Sequence, residues 1–155
     1  MRISTKGHYA VQAMVDMTIC QKEAPVPLGM IAERQGLSQN YLEQLFVKLR
    51  KANLVKSVRG PGGGYYLAKS PTDITIGDIF AAVDESLIIT ECADERSLLE
   101  KPCSKSKDCV TQALWAKLCQ HFNDLLFSIS IEDVVEGRVD MEGGFPVRTF
   151  RGQTG

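Results

Sequence analysis

The stretch "QGLSQNYLEQLFVKLRKANLVKSVRGPGGGYYL", residues 35–67, carries two periodicities in succession, and reading both decides the fold. Leu42, Leu45, Phe46 and Leu49 recur at helical spacing and predict a helix over 39–52. Ser38 can cap its start, while Gly36 can take the left-handed conformation that ends a preceding short helix over 28–35. Two helices joined by "QGLS" read as a helix-turn-helix. The second helix turns Gln39, Asn40, Glu43, Gln44, Lys48 and Lys51 away from its apolar stripe. Polar side chains in the first turns of such a helix can reach base edges in a major groove. A plain helical hairpin with a solvated face would show the same pattern, so the next segment arbitrates.

Alternation over 54–58, a break at Pro61 to Gly64 and a resumption at Tyr65 to Leu67 read as strand, tight turn, strand. The glycine run lacks the Gly-Lys-Ser or Gly-Lys-Thr ending of a phosphate-binding loop. Instead Ser57, Arg59 and Gly60 stand at the mouth of the turn. An arginine on a narrow glycine tip can enter a minor groove, where the potential is most negative. Helix-turn-helix and wing together favour double-stranded DNA as a partner.

Charge agrees. Residues 1–70 hold ten basic and four acidic side chains, +6, although the whole chain is formally -1 and the remainder therefore -7. A positive half suits a polyanion, with Lys48, Lys51 and Lys56 as candidate phosphate contacts. At 155 residues and 44% hydrophobic side chains, the chain suits one main unit. With no leader-like start and no run of about 18 apolar residues, a cytoplasmic protein without a membrane partner is expected.

Working outward, Tyr9, Ala10, Ala13, Met14 and Met17 predict a first helix over 5–21, ended by Pro25 and Pro27. Thr75 and Asp78 form a weak capping box before a short helix. Leu114, Leu118, Phe122, Leu125 and Leu126 mark a long amphipathic helix over 108–127, with Trp115 as a packing anchor. Its stripe needs a partner, and operator symmetry favours a second copy of the chain. The fold class is thus mainly α with a small β-hairpin wing. Residues 1–83 form a winged helix-turn-helix domain, 84–108 a cysteine-bearing loop, 109–136 a dimerisation helix with a short capped helix, and 137–155 a flexible tail whose Arg148 and Arg151 could brush DNA. There is no nucleotide motif or Ser-His-Asp set, and Glu132 and Asp133 suit a helix's first turn, so an enzyme is not expected.

Five cysteines, an odd number in a reducing compartment, point to metal, redox chemistry or burial. Cys20 and Cys119 sit within helical patterns and read as small buried hydrophobes. Cys92, Cys103 and Cys109 lie among charged and small polar residues instead.

The order of these features resembles the winged-helix iron-sulfur regulators of the IscR and NsrR type, most closely the IscR-like members, over about residues 1–135. The carriers are "MRISTKGHYAV" at 1–11, "ERQGLSQNYLEQLF" at 33–46, "LVKSVRGPGGGYYL" at 54–67, "AVDES" at 82–86 and "CVTQALW" at 109–115. The resemblance implies that Cys92, Cys103 and Cys109 hold an iron-sulfur cluster, a 2Fe-2S cluster if the IscR likeness holds, with cluster donor proteins as possible partners. It implies a homodimer on palindromic DNA, a repressor or activator whose binding follows cluster occupancy or redox state and which controls iron-sulfur cluster biogenesis genes. It also implies base reading by Glu43 and Gln44, with Asn40 and Ser38 nearby. Physically, thiolates suit such clusters, and a loop braced by a helix can wrap one edge. The spacing differs from the short knuckles of structural zinc, which leaves zinc and a cluster-free thiol redox switch as the alternatives.

The chain departs from that pattern. Gln112 stands where IscR-like members carry a histidine, and the first two cysteines are further apart. An amide oxygen is a poor ligand for iron in such a cluster. His121, twelve residues past Cys109, would lie about 18 Å away along a helix. His8 is the other histidine, at a place where NsrR-like relatives carry an acidic residue that reaches the partner subunit's cluster. Ligation by His8 in trans is one expectation, and a surface or phosphate-contacting histidine is the other. Asp108 is a further candidate ligand.

Overall fold

The computed structural model describes residues 3–21, 24–86, 90 and 109–139. Three helices build the body: α1 over Thr5–Cys20, α2 over Leu28–Gln35 and α3 over Gln39–Lys51. Each begins and ends where its sequence can satisfy the loose backbone groups. Ser38 accepts from the Tyr41 amide at 3.1 Å to start α3, and Gly36, with φ of 63°, closes α2 in the left-handed region. Met14 and Met17 of α1, Ile31 of α2, and Leu42, Phe46 and Leu49 of α3 meet in one fully buried cluster. Burying a side chain such as Phe46 contributes about 2–3 kcal/mol. An ion pair, Arg34 Nη2 to Asp16 Oδ2 at 2.7 Å, ties the outer sides of α1 and α2.

The hairpin pairs β1, Val55–Val58, antiparallel to β2, Gly64–Leu67, in the register Val55 with Leu67 and Val58 with Gly64. A short third rung comes from the α1–α2 connection. The Val26 amide donates to the Tyr65 carbonyl at 2.8 Å and the Tyr65 amide donates back at 2.9 Å. Proline on both sides of Val26 keeps this segment extended. Tyr65 then lays its ring edge-on against Phe46, 4.9 Å between centroids, so the wing is fastened to α3 by side chains and to the body by backbone.

A 3-10 turn over Pro71–Asp73 leads to α4, Ile76–Ala82. Its capping box is complete rather than weak, since Thr75 Oγ1 accepts from the Asp78 amide and Asp78 accepts from the Thr75 amide. The long helix α5 spans Gln112–Ser128, and α6 spans Ile131–Val135. Asp108, expected to open the long helix, lies outside the described residues, and its first described turn starts four residues later. The chain then returns to the body: the Ile76 amide donates to the Ile129 carbonyl and the Ile131 amide to the Ile74 carbonyl, both at 2.9 Å. Ile129 and Ile131 are buried in the same core as α1.

Gly77 faces the Phe127 ring, and a Cβ there would come within 2.6 Å of it. Toward its start α5 leaves the body, so Leu114 and Leu118 of its apolar stripe are 53% and 41% exposed. Cys119 is buried as expected, whereas Cys20 is exposed. That corrects the reading of Cys20 as a buried hydrophobe: it ends α1 as expected, but in a last turn past the stripe that ends at Met17. Among the described residues no helix is long and apolar enough to cross a membrane.

Ser130 and Asp133 form a second complete capping box at the start of α6, and Arg138 closes over it, its Nε donating to Asp133 Oδ1 at 2.9 Å. The Ser130 hydroxyl and amide, with Arg138 adding its charge, outweigh burial and hold the Asp133 carboxyl down at about 2, below its ordinary 3.8. A depressed carboxylate contributes stability above its ordinary value and loses it as pH falls through the depressed one. Asp133→Ala should therefore cost about 1–2 kcal/mol at neutral pH. In urea titrations its deficit against the parent chain should shrink between pH 4 and pH 2 and stay constant above pH 5.

Candidate nucleic-acid interface and cysteine segment

The exposed face of α3 is aligned with the wing. Asn40, Glu43 and Gln44 are all solvent-exposed, and Ser38 sits at the helix start as its cap. Gln39 Nε2 donates to Glu43 Oε1 at 3.1 Å. A groove of about 430 Å³ runs between this face and the hairpin, lined by Gln39, Glu43, Arg50, Ser57 and Arg59 among others. Arg50 closes the far end by donating from Nη1 to Ser57 Oγ at 3.3 Å. Sequence reasoning counted Arg50 only as a charge. Its position eleven residues after Gln39, three helical turns, would have put it on the same face.

The wing tip is as slender as a polypeptide allows. Gly60 and Gly62 have φ of 99° and 74°, in the region that favours glycine. Gly63 has no room for a side chain, because a Cβ there would lie 2.5 Å from the Val58 carbonyl oxygen. Arg59 is exposed beside this tip. An arginine on a two-strand ribbon without neighbouring side chains can be carried into a space too narrow for a helix.

Lys48 has a partner that sequence reading did not supply. Its Nζ lies 2.8 Å from Asp84 Oδ2, just past α4. Asp84 itself has a φ of 54°, and its carbonyl accepts from the Lys6 amine. The hydrogen bond and charge of Lys48, with Lys6 beyond, hold the Asp84 carboxyl below the usual carboxylate range. Next in sequence, Glu85 reaches the start of α1, accepting from the Ser4 amide at 2.8 Å and from the Ser4 hydroxyl. Burial would push the Glu85 carboxyl up, but the Ser4 groups, Lys6 and the Gly7 amide outweigh it and hold it down. Gly7 packs so closely on Glu85 that a Cβ would meet its side chain at 2.9 Å. Two consecutive acids thus tie the root of the cysteine segment to α3 and to the first turn of α1. A local scan could not find these pairs, which span 36 and 81 residues.

His8 lies in that first turn, exposed, with its ring 5.3 Å from the ring of Tyr9. Cys109 is half-buried ahead of α5; its Sγ is 3.4 Å from Thr111 Oγ1, and its carbonyl accepts from the Gln112 amide. Cys92 and Cys103 lie outside the described residues, as do Arg148 and Arg151. His121 is exposed on α5.

Comparison with known proteins adds a family to this geometry. Residues 3–137 match the family described as Rrf2, iron-dependent transcriptional regulator. The chain is similar to the HTH-type transcriptional regulator IscR of Pectobacterium atrosepticum, 46% identical over 138 residues, which cover 89% of this chain and 81% of the relative. Among solved structures it is similar to T. potens IscR, with a TM-score of 0.70 at 43% identity, covering 89% of this chain and 88% of the other. It is also similar to CymR, the global cysteine regulator of B. subtilis, with a TM-score of 0.70 at 34% identity, covering 88% and 98%. These relatives are transcriptional regulators, not enzymes.

The wing's seat yields a test. A Cβ on Gly64 would lie 2.5 Å from the Val26 carbonyl oxygen, a backbone atom that cannot yield without opening the Val26–Tyr65 pair. Gly64→Ala should cost about 1–3 kcal/mol in thermal unfolding while leaving the helical circular dichroism of the folded state unchanged.

Proposed function

The chain belongs to the Rrf2 family of transcriptional regulators, and from that premise we propose that it is an iron-sulfur-sensing, DNA-binding homodimer. In this reading α3 enters the major groove of each half of a palindromic operator, with Glu43 and Gln44 meeting bases and Ser38 and Asn40 supporting them. Arg59 and Gly60 bring the wing to the minor groove, and Ser57 stays with the wing through Arg50. Lys48, Lys51 and Lys56 meet phosphates. The exposed stripe of α5, with Leu114 and Leu118, is the surface that a second copy covers. Genes of iron-sulfur cluster biogenesis are the proposed targets, and a repressor is the proposed mode.

The donor set suits the cofactor in kind: three thiols within eighteen residues, the last of them half-buried at the foot of a helix. Cys92, Cys103 and Cys109 would hold a cluster, proposed as 2Fe-2S, and His8 of the second copy is the proposed fourth ligand because Gln112 offers only an amide. When bound, the cluster supplies a redox-active and oxidant-labile centre. The chain's own residues supply the coupling.

The observation that carries the reading is the Lys48–Asp84 ion pair at 2.8 Å, between the DNA-facing helix and the root of the cysteine segment. A change that pulls on residues 86–109 acts on Asp84, and Asp84 either holds or releases Lys48. With Glu85 on the first turn of α1, the same pull reaches His8's neighbourhood. Coupling of this kind is a free-energy difference between two arrangements, so whatever reorganises the segment biases α3 and is in turn biased by DNA.

Gln112 keeps a second reading in play, a regulator of the same fold whose three cysteines sense oxidants by pairing thiols. Anaerobic purification followed by a visible spectrum and counts of iron and acid-labile sulfide separates the two. Colour with matched iron and sulfide is expected, lost in Cys109→Ala and weakened in His8→Ala. Protein that stays colourless after anaerobic reconstitution refutes the cluster and leaves the thiol switch. The coupling has its own test in fluorescence anisotropy on operator DNA. Asp84→Asn frees Lys48, so binding at low salt should tighten and fall more steeply with added salt, by a slope change of about 1 or less. Stability should change little, since the pair is exposed.

A further inference from the structure

Gln39 and Glu43 stand one helical turn apart at the start of α3, joined by the 3.1 Å hydrogen bond from Gln39 Nε2 to Glu43 Oε1. The other end of the Gln39 amide is also confined. A Cβ built on Gly29, in the first turn of α2, would lie 3.3 Å from Gln39 Oε1. The exposed carboxamide therefore lies between two helices, its oxygen toward the start of α2 and its NH2 bonded to the carboxylate. Both side chains line the groove between α3 and the wing.

A glutamate alone on an exposed helical face exchanges among rotamers on a nanosecond scale. A donor one turn earlier favours the rotamer whose carboxylate lies back toward the start of α3. The distinction matters for a carboxylate that faces bases. It accepts from the amino group of cytosine and is repelled by edges that offer only acceptors, so it can reject a site as well as select one. Rejection works only while the carboxylate cannot step aside. Released, it turns to solvent and the wrong base is admitted at little cost.

We propose that Gln39 is a positioning residue for DNA specificity, holding Glu43 in the orientation that rejects operators lacking the complementary base. The inference rests on the reading of Glu43 as a base-facing residue. Its signature is a change in selectivity without a matching change in affinity for the preferred site.

Gln39→Leu keeps length and helix propensity while removing the donor. The full-length chain, its Gln39→Leu, Glu43→Ala and doubly substituted forms, and Gln39→Lys would be compared. Selection from duplexes randomised through one half-site first gives each protein's preferred base at every position. Competition anisotropy on single-base variants then gives the affinity ratios. Gln39→Leu is expected to relax preference at the same base pair as Glu43→Ala, by roughly 2- to 10-fold, with the preferred duplex bound within about 2-fold of the parent. Adding Gln39→Leu to Glu43→Ala should change nothing further, and Gln39→Lys, which restores a donor to Glu43, should recover the preference.

An unchanged ratio in Gln39→Leu beside a relaxed one in Glu43→Ala overturns the positioning role and leaves Glu43's reading intact. Relaxation that persists when Glu43 is already alanine overturns it too, since Gln39 would then meet DNA itself. If Glu43→Ala leaves the selected sequence unchanged, the reading of Glu43 falls and this inference falls with it.

Discussion

The return of the chain to the three-helix body after α5 depends on two backbone hydrogen bonds, Ile76 to Ile129 and Ile131 to Ile74. They join the start of α4 to the end of α5 and bring Ile129 and Ile131 into a core otherwise made by residues before position 84. More than fifty residues separate those points in sequence, the cysteine segment among them, and the described chain on either side of it joins one core. The segment's entry is fixed by Asp84 and Glu85, and its exit runs into a helix whose last turn packs Phe127 on Gly77.

Local chemistry was readable where each residue's partner lies within a few positions. The capping roles of Ser38 and Thr75, the left-handed Gly36, the hydrophobic spacing of α3 and the glycine tip of the wing all follow from neighbours in sequence. Tertiary pairing was not. The third rung at Val26 needs a partner 39 residues away, and nothing in "APVPL" distinguishes a strand-like bridge from a plain connection. Cys20 misled for a related reason. Helical periodicity assigns a face but not where the neighbouring helix stops covering it, and Cys20 lies beyond that point. Lys48 has the look of a free phosphate contact until Asp84 folds back to it.

The candidate site divides in the same way. Ser38, Asn40, Glu43, Gln44 and Arg59 could be chosen from sequence because a helix-turn-helix and its wing declare their outward faces by period alone. Arg50 shares that face by period too, but its link to Ser57 and the orientation of Glu43 could not be read, because they depend on how the hairpin and α2 sit against α3. Cysteine ligation stands apart from both. Thiols advertise their chemistry by type, but Gln112 offers only an amide, so on the proposed reading a fourth ligand must come from another residue, such as Asp108, or from another copy of the chain.

The wing's attachment carries a mechanical consequence. Ring contact between Tyr65 and Phe46 and the link from Arg50 to Ser57 join the hairpin to α3, and backbone pairing through Val26 joins it to the α1–α2 connection. The distance between α3 and the wing is thus set by the protein. On the proposed reading, a duplex whose grooves do not match that distance must bend or narrow to meet it. The energy of doing so depends on base steps that no side chain touches. Operators would then be ranked partly by their flexibility, and two sequences offering identical base contacts would still bind unequally.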